Sequence, residues 1–125
     1  MKKKALVIED NGVVSETIKA MLEFLEFQVD LADSGTDGIE KYVDAKNTGQ
    51  PFDVVFVDLV LPEMHGSMII KELKNIDPQV NAVISSGYSE DPSIRDYKNL
   101  GFKGVLNKPY TLDELRNVLN ELGLL

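Results

Sequence analysis

Cysteine is absent from this 125-residue chain and histidine occurs once. Without thiols there are no disulfides and no thiolate metal sites, which suits a reducing cytoplasm. Positive charge is scarce: 13 Lys and Arg face 21 Asp and Glu, a formal net charge of −8. A domain with that balance has no counter-charge for phosphates and is not expected to bind nucleic acid directly. No apolar run approaches the roughly 20 residues of a membrane span. Lys2-Lys3-Lys4 precedes only four apolar residues before Glu9-Asp10, which is not a signal peptide. No Gly-x-x-x-x-Gly-Lys sequence exists, so a phosphate-binding-loop NTPase is excluded. Repeats, low-complexity tracts and linkers are missing too. What remains is ordinary for a folded protein, 43% hydrophobic and 27% charged, and a single cytoplasmic domain over residues 1–125 is expected.

The apolar residues fall into short runs and helical stripes. Ala5-Leu6-Val7-Ile8, Val54-Val55-Phe56-Val57, Ala82-Val83-Ile84 and Gly104-Val105-Leu106 read as strands buried in a parallel sheet. Val29 and Leu31 alternate with Gln28, Asp30 and Asp33, the pattern of a half-exposed edge strand. Between the strands lie five stripes of helical period. Val14, Ile18, Met21, Leu22 and Leu25 follow Asn11 as N-cap, and Ile39, Tyr42 and Val43 precede the break at Asn47-Thr48-Gly49. Ile69, Leu73 and Ile76 stop before Asp77-Pro78, and Ile94, Tyr97 and Leu100 follow Asp91-Pro92. Leu115, Val118, Leu119 and Leu122 follow a capping box, Thr111-Leu112-Asp113-Glu114. Alternating strands and helices imply right-handed crossovers. The expected fold is an α/β, flavodoxin-like, doubly wound five-stranded parallel sheet of order 2-1-3-4-5 with five helices.

The strand candidates end in chemistry. Glu9-Asp10, Asp58, Ser85-Ser86-Gly87 and Asn107-Lys108-Pro109 follow the four buried runs. In a parallel sheet all four lie on one edge, where open α/β sheets bind their ligands. Packing asks for none of them. Glu9, Asp10 and Asp58 would crowd three carboxylates together, and such charges stay ionised only if a cation joins them. An oxygen-only set suits Mg²⁺ rather than Zn²⁺. Lys108 and the Ser86 hydroxyl supply a point charge and a donor for a phosphoryl oxygen. Together they describe a carboxylate nucleophile attacking phosphorus. The plainer alternative is a buried Lys-Asp salt bridge beside a stray acidic pair.

These residues give the chain its resemblance to response-regulator receiver domains of the CheY-like type, over essentially its whole length. The matching motifs are Glu9-Asp10, the segment Asp58-Leu59-Val60-Leu61-Pro62-Glu63-Met64-His65-Gly66, Ser86-Gly87 and Lys108-Pro109. Asp58 also follows Asp10 by 48 residues and precedes Lys108 by 50. The resemblance implies a phosphoprotein of two-component phosphorelay signalling. Asp58 would take a phosphoryl group from a histidine kinase or histidine phosphotransfer domain. Asp10, Asp58 and the Val60 carbonyl would hold Mg²⁺, with Glu9 acting through water. Ser86, Gly87 and Lys108 would report the phosphoryl group to the fourth and fifth helices. Such a domain catalyses only its own phosphorylation and dephosphorylation, and the resemblance further implies a phosphatase partner and a phosphorylation-dependent dimer.

Several positions depart from the family's habits or bear on them. Glu9 replaces the commoner Asp, and its extra methylene still reaches a metal-bound water. His65 stands where Asp or Asn is frequent and is expected to be a solvent-facing loop residue. Val105 occupies the place of an aromatic switch residue and has no ring to swing, leaving Tyr88 or Tyr110 as candidate substitutes. Val60 and Tyr88 flank the approach of a hydrolytic water and are bulky and not acidic, which implies slow loss of the phosphoryl group. Among alternatives, a haloacid-dehalogenase-type hydrolase needs a second Asp where Val60 stands, and a flavin carrier would have its phosphate repelled by the acidic cluster. A pseudo-receiver, a protein-binding module without phosphorylation, typically loses the acceptor Asp or the Lys, and both are kept here. The start at Met1 and the end soon after Leu122 suggest a chain that signals through partners. A free-standing regulator and the receiver of a hybrid sensory histidine kinase both stay open, with Ile84-Ser85-Ser86-Gly87-Tyr88-Ser89 and Lys108-Pro109-Tyr110 closer to the hybrid-kinase branch.

Overall fold

The structure, a computed structural model, describes residues 2–87 and 90–125. Strands β1 (Lys3–Ile8), β2 (Phe27–Ala32), β3 (Val54–Val57), β4 (Ala82–Ser86) and β5 (Gly104–Asn107) form one sheet. Its order is β2-β1-β3-β4-β5 and every pairing is parallel. Register places Val7 beside Phe56, Val57 beside Ile84, and Ser86 beside Asn107. Because side chains alternate across a strand, each buried run feeds two cores. Leu6, Ile8, Val55, Val57, Ala82 and Ile84 face one core, and Ala5, Val7, Val54, Phe56 and Val83 face the other.

Helices α1 (Gly12–Phe24) and α6 (Leu112–Glu121) cover the second core with Ile18, Leu22, Leu115 and Leu119. Helices α2 (Gly35–Asn47) and α3 (Gly66–Ile76) cover the first with Tyr42, Ala45, Ile69, Ile70 and Leu73. Asn11 caps α1 by accepting from the backbone of Val13 and Val14. Both halves of the Thr111–Glu114 capping box are made. β1 starts two residues earlier than its apolar run, and β4 extends through Ser85 and Ser86 instead of stopping at Ile84.

One expectation fails. The fourth helix is two single turns, α4 (Pro92–Arg95) and α5 (Tyr97–Leu100), so the described residues hold six helices and not five. Its apolar residues Ile94, Tyr97 and Leu100 recur every three positions. At about 100° per residue, that spacing drifts around an α-helix instead of forming a stripe. A break at Asp96 lets all three pack against the first core. α5 then ends at Gly101, whose φ of 109° favours glycine. No helix among the described residues is long and apolar enough to cross a membrane.

Candidate functional site

The sheet's hydrogen-bond ladder runs on past the strand ends and holds the expected site residues. Glu9 N donates to Ala32 O at 2.9 Å, Asp58 N to Ile8 O at 3.1 Å, and Lys108 N to Ser86 O at 2.7 Å. Their backbones are held by bonds to the sheet itself, as a preorganised site requires. Glu9 and Asp58 are 4% and 5% exposed, Ser86 is fully buried, and Asp10 is exposed. The Lys108–Pro109 peptide is cis.

The carboxylates converge as expected. Glu9, Asp10 and Asp58 each offer an oxygen within 4.8 Å of the other two. Lys108 Nζ makes a short ion pair with Glu9 Oε1 and lies 3.5 Å from Asp58 Oδ2. Lys108 thus reaches both carboxylates, with its ammonium closer to Glu9 than to Asp58. The longer side chain of Glu9 reaches where an Asp would stop short. Burial pushes the Asp58 carboxyl up to about 6; Lys108 pulls it down and Glu9 pushes it up again. The Val60 N–H, 3.3 Å from Asp58 Oδ1, also lowers it. This donor set of hard oxygens, partly buried and short of positive charge, fits a divalent cation such as Mg²⁺.

The loop after Asp58 is pinned on both sides. Gly66 N donates to Leu59 O at 2.7 Å, and Val60 and His65 form an antiparallel bridge. A Cβ at Gly66 would stand 3.0 Å from Leu59 Cα and 3.1 Å from Asp58 O, so a larger residue there would have to push the loop backbone outward by a few tenths of an ångström. Glu63 Oε1 accepts from Gly35 N, in the first turn of α2, at 2.5 Å.

His65 corrects an expectation. It is not a free loop residue but the N-cap of α3, its Nδ1 accepting from Ser67 N at 3.0 Å. A nitrogen that accepts a backbone N–H carries no hydrogen, so Nε2 bears the proton. Nε2 donates it to Asp91 Oδ2 at 2.9 Å. Asp91 is itself the N-cap of α4, accepting from Ser93 N at 2.9 Å. Partial burial pushes the Asp91 carboxyl up, but the bonds from His65 and Ser93 outweigh it and leave the group below its ordinary value.

The remaining candidates divide. Gly87 is exposed just past β4, and Val60 is 42% exposed over the site. Val105 packs against the first core from β5. Tyr110 packs against the second core, its hydroxyl 3.3 Å from Ser85 Oγ. Tyr88 lies outside the described residues. The sequence reading missed Glu63 and Asp91, whose partners are 28 and 26 residues away. The only local signal was Asp91 before Pro92, which marks a cap and not a bridge.

Comparison with known proteins identifies relatives of the chain. Residues 5–120 match the family model described as response regulator receiver domain. The chain is 28% identical over 122 residues to chemotaxis protein CheY of Bacillus subtilis, covering 97% of this chain and 98% of that protein. It is 27% identical over 120 residues to the osmosensing histidine protein kinase SLN1 of Saccharomyces cerevisiae. That match covers 94% of this chain but spans only 10% of the kinase. A solved CheY-like response regulator receiver domain from Methylobacillus flagellatus is 31% identical with a TM-score of 0.82, covering 98% of this chain and 99% of that one.

Proposed function

The chain belongs to the response regulator receiver domain family of two-component signalling, and from that membership we propose that Asp58 is its phosphoacceptor. The observation that carries the reading is a buried carboxylate at the end of β3, held between Lys108 and the carboxylates of Glu9 and Asp10. In the transfer, an Asp58 oxygen attacks the phosphorus of a phosphohistidine on a kinase or phosphotransfer domain. The new P–O bond forms as the P–N bond breaks, and the electron pair returns to the imidazole. Lys108 then exchanges its carboxylate partners for a phosphoryl oxygen, and Ser86 takes another oxygen as donor. Asp10, Asp58 and the Val60 carbonyl would hold Mg²⁺, with Glu9 acting through a water; the bound ion supplies positive charge to the transferred oxygens. Beside Lys108 and Pro109, Val13, Val14 and Met21 border an apolar groove of about 390 Å³, wide enough for a partner's side chains next to the acceptor. Val60 stands over the site without a polar group to orient water, so removal of the phosphoryl group falls mainly to a phosphatase or to reverse transfer.

Incubation with a small acyl phosphate and Mg²⁺, followed by intact-mass measurement, is expected to show one added phosphoryl group. Omitting Mg²⁺ or substituting Asp58→Asn is expected to abolish it. Equal labelling of Asp58→Asn would refute the assignment.

A further inference from the structure

Among the described residues, a side-chain bond joins the loop that follows Asp58 to the α4–α5 segment. His65 is bridged through backbone to Val60, two residues from Asp58, and its ring reaches Asp91, the cap of α4. A shift of the Val60 backbone when the site is loaded must therefore move His65 or stretch its bond to Asp91.

The far end of that bond lies on the two shortest helices among the described residues. α4 and α5 have four residues each and no buried residue, whereas α3 has eleven residues and four buried ones. Single turns are not self-sustaining, because nucleation costs more than one turn of hydrogen bonds returns. What keeps α4 wound is its cap and its partial packing through Ile94. The two carboxylate oxygens of Asp91 are divided between these tasks: Oδ1 caps the turn at Ser93, and Oδ2 accepts from His65. Pulling on one oxygen therefore disturbs the other. At α3 the same ring is braced by a long packed helix, so motion is taken up at the α4 end.

We propose that the His65–Asp91 hydrogen bond couples the state of the Asp58 site to the order of the α4–α5 segment. This makes the pair a conformational strut, and it rests on the reading of Asp58 as acceptor. Segments that change state are drawn from the low-stability end of a structure, and here the strut ends in one.

Hydrogen exchange, read by mass spectrometry over residues 90–101, tests the coupling with Mg²⁺ alone and with Mg²⁺ plus beryllofluoride. His65→Asn keeps a short acceptor for Ser67 N, and Asp91→Ser keeps a cap for Ser93 N, but neither side chain spans the gap. Loading wild type is expected to change exchange in this segment by roughly fivefold, the scale of one net hydrogen bond. Each variant is expected to lose at least half of that response, and the double variant no more than either single. Beryllofluoride affinity is expected to stay within about twofold, because neither side chain touches the site. Variants that respond as wild type does, or single effects that add in the double, overturn the strut while leaving the acceptor reading intact. Failure of wild type to bind beryllofluoride overturns the acceptor reading and the strut together.

Discussion

Along β1, β3 and β4, the middle of the sheet and its carboxyl edge are buried to nearly the same degree but follow opposite rules. Leu6, Val55, Phe56 and Ile84 are fully buried and apolar, and each removes hydrocarbon from water. Two or three residues further along, Glu9, Asp58 and Ser86 are almost as inaccessible and polar. Burial stabilises in the first region. In the second it raises the Asp58 carboxyl to about 6, so ionising that group at neutral pH opposes folding. The edge can carry this cost because its backbone is an extension of the ladder that the apolar middle secures. Rigidity comes from one region and reactivity from the other.

The largest expected effect lies in the middle. Phe56 is fully buried in the core beneath α1 and α6, so Phe56→Ala is expected to cost about 3–5 kcal/mol in urea denaturation. A loss under about 1 kcal/mol would mean that the sheet interior is not what holds the edge in place.

At the edge the sign is expected to reverse. The folded Asp58 carboxyl titrates near 6, above its ordinary 3.8. A raised carboxyl contributes stability that is full below about 4 and is lost as pH rises through about 6. Asp58→Asn escapes that loss. In EDTA at pH 8 the variant is expected to be more stable than wild type by roughly 3 kcal/mol, at about 1.4 kcal/mol for each unit of the rise from 3.8 to about 6. The gap should close as pH falls from about 7 to about 4. Urea midpoints at several pH values measure it, and a gap that is constant or widens toward acid would break the contrast between the two regions.

The same contrast explains what could be read from the sequence. Apolar runs and the residues that interrupt them are adjacent in the chain, so the strands, their order and the polar edge with Glu9, Asp10, Asp58, Ser86 and Lys108 were all legible. Two kinds of feature were not. The split of the fourth helix depends on whether a stripe spaced by three packs as one helix, which tertiary contact at Ile94, Tyr97 and Leu100 decides. Side-chain partnerships across the fold were hidden as well: Lys108 with Glu9 is 99 residues apart and His65 with Asp91 is 26. His65 looked like loop because nothing beside it in sequence needs a ring. Its cap is local, but its second bond is set by how close β4 brings the start of α4.

The smallest predicted effect separates two roles for Lys108, a cation that shares the acidic edge. Lys108 Nζ touches Glu9 and lies 3.5 Å from Asp58, so it neutralises the carboxylates that would hold Mg²⁺. An ammonium and a divalent ion drawn to the same oxygens repel each other. In Lys108→Ala the metal-free fold loses its counter-charge, and the carboxylates turn wholly to the added ion. Mg²⁺ is therefore expected to bind the variant about fivefold more tightly, roughly 1 kcal/mol. At any fixed Mg²⁺ concentration its melting temperature should rise by more than that of wild type. Calorimetric titration reads the affinity directly. Weaker binding in the variant would mean that Lys108 instead holds Glu9 and Asp58 in place, and the edge would then be a structural ion pair continuous with the sheet. Tighter binding, together with loss of the beryllofluoride response at residues 90–101, would leave Lys108 as a group that competes with the metal before phosphorylation and serves the phosphoryl group afterwards.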